Sequence, residues 1–230
     1  MHLKIAESGA LTDWLLAVVT AWLALELFRQ ALRLRDRAMG LWVGAFCAVA
    51  ASSTLSGISQ TFQASMDPSV ASLTRTATLV LADAAMLLFL LSTLRAFTSG
   101  RTLAIGAGLA VAKFALFVVY VAVKDDVRMV IYDGALTMLV VIVLSTWGAW
   151  AQRRPSATWI LAGVLVSMLG ALFQQGRVSM HPQFGYNELY HVIQTAAMYL
   201  LYRGGLLLRE REPTAPDFDA TQPLPIAKEK

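Results

Sequence analysis

The 230-residue chain has a single cysteine, Cys47, placed inside an apolar run, so no intramolecular disulfide can staple the fold. Charge is also scarce: 15% of the residues are Asp, Glu, Lys or Arg, against 57% hydrophobic. A soluble domain of this composition would be left with apolar surface it could not cover, so the solvent around most of the chain is expected to be lipid. Proline is missing from the interior of every long apolar run. No run alternates apolar and polar residues at period two, which excludes a membrane barrel and leaves helices as the spanning structure. There is no convincing internal repeat. The formal net charge of +4 does not indicate a nucleic-acid partner, because the arginines stand in short clusters between apolar runs, where membrane topology accounts for them.

Seven apolar runs are present, at 11–32, 41–62, 70–94, 103–123, 127–150, 158–173 and 189–208. At about 20 residues per span, one bundle takes up residues 1–211 and leaves no room for a second domain. Residues 212–230 are rich in proline and charge and are expected to form a disordered cytoplasmic tail. Arginines flank alternate connections: Arg33, Arg35 and Arg37 the first, Arg95 and Arg101 the third, Arg153 and Arg154 the fifth, with Arg203, Arg209 and Arg211 after the last run. Positive residues are retained on the cytoplasmic side, so the sequence predicts an all-α bundle of seven transmembrane helices with its N-terminus outside and its C-terminus cytoplasmic. The first run has no small-residue cleavage site and reads as a span rather than a signal peptide. The expected location is the plasma membrane, the inner membrane in a bacterium, with membrane lipids as the partners. Oligomeric state is not legible.

Polar residues inside the runs are the informative ones, because ionisable groups in hydrocarbon are costly and face the bundle interior, a partner or water. Asp13, Gln60, Gln63, Asp133, Gln174, Asn187, Glu188 and His191 all fall in the outer half on this topology, while Asp83 and Lys113 sit near the midplane. Ser52, Ser56, Ser59, Gln60 and Gln63 recur along one helical face of the second run. Small serines also serve close helix packing, which is the favoured account of Ser52 and Ser56. In the last run Asn187, His191, Gln194 and Met198 form a stripe, and Glu188 precedes His191 by three residues, a spacing that can bring both side chains to one metal or one water. A lone buried histidine is more often a structural hydrogen-bonder. Lys113 and Asp83 are expected to pair, because an unpaired charge at that depth is expensive.

Ser56-Gly-Ile-Ser-Gln60, Asp83 and Asn187-Glu-Leu-Tyr-His191, on the second, third and seventh runs, resemble the pattern of a seven-helix superfamily that includes the alkaline ceramidases and the progestin and adiponectin receptors. That pattern is Ser-x-x-x-His, Asp and His-x-x-x-His, and its histidines hold a zinc ion that activates water for cleavage of a lipid amide. Gln60 and Asn187 stand where two of those histidines belong, and amides are poor zinc ligands beside imidazole. The stretch 184–194 is also similar to the last-helix segment of a bacterial seven-helix membrane family with no assigned activity.

Two functional expectations follow. In the first, a metal held by His191 with Glu188, Asp83 or His181 polarises a water for attack on a lipid amide or ester, Ser56 binds the developing oxyanion and a carboxylate moves the proton. In the second, a non-catalytic membrane protein binds a lipid or small polar ligand in the same outer cavity, lined by Gln60, Asn187, Gln194 and Lys113. A transporter has less support, since there is no proline-broken helix and no paired half-repeat.

Overall fold

The computed structural model describes residues 5–62, 64–124, 128–181 and 184–210. Gln63 and the expected tail, 212–230, lie outside the described residues. The fold is all-α: α1 (Ile5–Leu34), α2 (Arg37–Phe62), α3 (Pro68–Phe97), α4 (Gly100–Val123), α5 (Arg128–Trp150), α6 (Pro155–Gln175) and α7 (Tyr186–Leu206). Local chemistry sets several of the starts. Asp67 caps α3 by accepting from the Ser69 amide, with Pro68 in the first turn, where its missing N–H costs nothing. Asp36 caps α2 through the Met39 amide at 2.9 Å, and Pro155 opens α6.

Six helices, α1 to α6, are long and apolar enough to cross a membrane. The 21 residues of α7 would span about 31 Å at 1.5 Å per residue. Its composition falls short because it carries Asn187, Glu188, His191, Gln194 and Arg203. The least apolar helix is thus as long as α6 and packs closely on α6 and α1.

Helices α1, α2, α3, α5, α6 and α7 each pack against the next, and α7 returns to α1 to close a ring. The remaining helix, α4, lies outside this ring against α3, with only slight contact to α5. Ile105, Leu109, Leu116, Val119 and Val123 of α4 are all exposed, forming an apolar wall suited to lipid.

The dry core sits toward the arginine-rich end, where Leu27, Trp42, Phe46, Phe89, Phe97, Ile160, Met198 and Leu201 are buried together. Glycines allow this packing. The Trp42 indole occupies the space a Cβ on Gly205 would need, only 2.5 Å from that position, and its N–H donates to the Leu201 carbonyl at 3.1 Å. A Cβ on Gly204 would lie 3.2 Å from the Ile160 amide nitrogen, so the backbones of α6 and α7 approach closely, as small residues permit between membrane helices.

Carbonyls at and just beyond the helix ends here accept from side chains. Arg154 donates to the carbonyls of Ala96 at 2.8 Å and Arg209 at 3.0 Å, and Gln152 to that of Phe97 at 2.9 Å. Arg95 pairs with Glu210 at 3.0 Å, and the Glu210 amide donates to Asp36 at 2.8 Å. Cations at helix C-termini also complement the helix dipole.

Candidate functional site

At the opposite end, α1 lies between α2 and α7, and the three helices meet on a carboxylate. Asp13 is 2% exposed. Ser56 Oγ donates to its Oδ2 at 2.9 Å, Gln60 Nε2 donates to the same oxygen, and His191 Nε2 lies 3.3 Å from Oδ1. The other ring nitrogen of His191, Nδ1, is 3.1 Å from Thr12 Oγ1, which also reaches the Gly9 carbonyl at 3.0 Å. A hydroxyl has one proton to give. When Thr12 gives it to Nδ1, a neutral ring can donate Nε2–H to Asp13. When Gly9 takes it, the contacts on both nitrogens are satisfied by an imidazolium facing the carboxylate.

The backbone makes room for this arrangement. A Cβ on Gly9 would fall 2.5 Å from Gln60 Oε1, so any larger residue there would push the amide away from Asp13. Glu188 is buried at the third position of α7, with its Oε2 just 2.9 Å from where a Cβ on the N-cap residue Gly185 would sit. An acid in that position complements the positive end of the helix dipole.

The residues singled out from the sequence do not share one site. Ser56, Gln60 and His191 come together, with Glu188 at the edge. Asn187 does not join them: it is exposed and its Oδ1 accepts from Gln174 at 3.0 Å. Gln194 is half-buried one turn beyond His191 on α7. Asp83 and Lys113 belong elsewhere, because among the described residues α3 does not pack on α7. Lys113 Nζ lies 3.8 Å from Asp83 Oδ1 and closer still to Asp133, which makes an ion cluster of α3, α4 and α5. The expected pairing of Lys113 with Asp83 is present, but the expected sharing of one site by Asp83 and His191 is not. His181 is exposed in the α6–α7 connection, bridged through its backbone to Phe184.

The serine stripe of α2 also divides. Ser52 donates to the Thr78 carbonyl of α3 at 3.0 Å, whereas Ser56 turns to α1. Between α2 and α3 a cleft of about 400 Å³ opens, with Ser56, Ser59, Gln60, Ser72, Arg75 and Thr78 as its polar lining. Ser56 and Gln60 therefore face both the cleft and Asp13.

Zinc, which the ceramidase resemblance implies, needs a set of convergent ligands with free lone pairs. Both nitrogens of His191 already face protein partners, and Asp83 lies on a helix that does not touch α7. Among the described residues, no three His, Cys, Asp or Glu side chains converge. The donor set does not fit a zinc ion. Asp13 was not among the site residues expected from the sequence. Its signal was an ionisable residue inside a run with Thr12 beside it, which requires a partner on another helix.

Fold and site together define an all-α bundle with helices able to cross a membrane and a buried polar network at one end. The chain belongs to a family of unknown function (DUF6962), whose model matches residues 8–210, a span that contains both polar clusters and the cleft. No curated protein and no solved structure matches it.

Proposed function

We propose that the protein is a non-catalytic, multi-pass membrane protein that binds a lipid headgroup or small polar ligand in the cleft between α2 and α3, with the Asp13 network reporting occupancy to α1 and α7. The observation that carries this reading is the double engagement of Ser56 and Gln60, which line the cleft and donate to Asp13. A ligand group that draws either donor away would leave the buried carboxylate short of a hydrogen bond and loosen α1 from α2. Hydroxyls, an amide and the Arg75 guanidinium suit a ligand with oxygen acceptors.

The hydrolase reading has weaker support. Ser56 gives its one proton to Asp13 and has none left to donate to a developing oxyanion, the role that reading assigns it. In this reading α7 also spans, its polar groups turned to α1 and α2. The arginine-rich end faces the cytoplasm, which puts the cleft at the outer face of the plasma membrane.

Mass spectrometry of protein released from native-lipid nanodiscs tests the proposal. A co-purifying lipid or polar small molecule is expected, and Ser59→Trp, which fills the cleft without touching Asp13, should abolish its retention. Undiminished retention in that variant would refute the cleft. Stoichiometric zinc lost in His191→Ala would restore the hydrolase.

A further inference from the structure

We propose that the Asp83–Lys113–Asp133 cluster is a proton-binding site, in which the two carboxyl groups share one proton beside the lysine. The cluster is distinct from the Asp13 network: it lies on α3, α4 and α5, none of which carries a residue of that network. Two of its members sit well inside their helices, Asp83 sixteenth of 30 residues in α3 and Lys113 fourteenth of 24 in α4, and Asp133 is sixth of 23 in α5. The side chain of Asp83 is 1% exposed and that of Asp133 12%.

Two observations identify a proton as the ligand. The first is charge. One ammonium and two carboxylates leave a net negative charge in an apolar surrounding, where an unbalanced ion is expensive, and one proton brings the cluster to neutrality. The second is a buried oxygen with nothing donating to it. Asp83 Oδ1 faces Lys113, whereas Asp83 Oδ2 is fully buried and accepts no hydrogen bond. Lys113 Nζ faces Asp133 as well as Asp83, so the two carboxyl groups flank a single ammonium. Two carboxylates sharing one ammonium repel each other, and a single proton on the pair relieves that repulsion, as in paired-acid sites generally.

Among the side chains the structure describes, the surrounding helices supply no competing ion at this level. On α3, Arg75 and Arg95 are eight and twelve residues from Asp83, roughly 12 and 18 Å along the helix. On α4, Tyr120 is two turns from Lys113, and Arg101 is farther still. On α5, Tyr132 is exposed. Level with Asp83, α2 offers only Cys47, which is exposed, and α6 carries no ionisable side chain. Uptake of the proton turns one carboxylate into a carboxylic acid, and release leaves the unbalanced charge where α4 meets α3 and α5. Because α4 has little other contact with α5, it is the helix whose docking responds to the proton.

Infrared spectroscopy of the full chain in nanodiscs reads this directly. Wild type at neutral pH should show a carbonyl band of a buried carboxylic acid that shifts when aspartate is isotopically labelled. Asp83→Asn and Asp133→Asn should each abolish it, and Asp13→Asn should leave it unchanged. No such band in wild type, a measurement that needs no variant, would overturn the proposal. So would its survival in both variants, or its loss in Asp13→Asn alone. A band that disappears on adding sodium at constant pH would show that the site takes a metal cation instead, and would equally overturn it. None of these results depends on whether the α2–α3 cleft holds a ligand.

Discussion

Replacing Asp13 by alanine removes the one acceptor shared by Ser56, Gln60 and His191, and its cost can be worked from the geometry. Hydrogen bonds between membrane helices average about 0.6 kcal/mol and reach about 1.7 kcal/mol. Hydrogen bonds to charged groups in proteins run to about 1.5–3 kcal/mol. Asp13 is buried and its donors come from two other helices, so each contact belongs in the upper part of the membrane range. Three contacts at about 1–1.3 kcal/mol each give about 3–4 kcal/mol. Asp13→Asn keeps the shape and one acceptor oxygen and should cost about half as much. The assay is reversible unfolding in mixed micelles of wild type, Asp13→Ala, His191→Ala and the double variant. The two single costs should fall short of additivity by at least about 1 kcal/mol, since each removes the same contact. A cost below about 1 kcal/mol for Asp13→Ala, or strict additivity with His191→Ala, would refute the view that the carboxylate joins α1 to α2 and α7.

Three further outcomes are expected. Gly205→Ala drives a methyl into the Trp42 indole and should destabilise by about 1–3 kcal/mol, as overpacking does, whereas Gly108→Ala, with nothing within 4 Å, should be neutral or slightly stabilising in the same unfolding assay. The Ser69 hydroxyl and amide hold the Asp67 carboxyl below its ordinary pKa of 3.8, so its contribution to α3 is complete above that value and is lost as the pH falls through the lower, folded one. A pH series comparing wild type with Asp67→Ala should show the stability difference vanish only in strong acid, and a difference that persists there would show that the cap acts through something other than the charge. Finally, Gln60→His with Asn187→His should not create a zinc site, because Asn187 faces Gln174 at an exposed helix end. Elemental analysis finding bound zinc would show that α7 can rotate its first turn inward.

Helix number and composition were legible because lipid imposes a length and an apolar content on each span. Helix ends were not, since backbone hydrogen bonding continues past the apolar stretch. The run beginning at 11 belongs to a helix that starts at Ile5, and the run beginning at 189 to one that starts at Tyr186. The ring order was hidden for a different reason. In lipid, apolar residues do not choose between a neighbouring helix and an acyl chain, so hydropathy alone could not show that α4 stands outside. The glycines that bring α6 and α7 together carry that information only once their neighbours are known.

The candidate site was half legible, and the missing half follows from the first helix end. With α1 expected to open near residue 11, Asp13 stood at the start of a span in the outer half, with no partner assigned to it. The helix begins two turns earlier, so Asp13 lies inside the bundle and has to find donors there. Ser56, Gln60 and His191 supply them, and in doing so they lose the geometry a metal would require. The same relation separates Asp83 from His191. Depth set His191 in the outer half and Asp83 near the midplane, but depth is one coordinate and the order of helices around the ring is the other. Once α3 is separated from α7, the carboxylate expected to help hold a metal has Lys113 and Asp133 as its partners. The polar side chains that suggested one catalytic centre thus divide into a hydrogen-bonded network beside a cleft and an ion cluster that is neutral only with a proton.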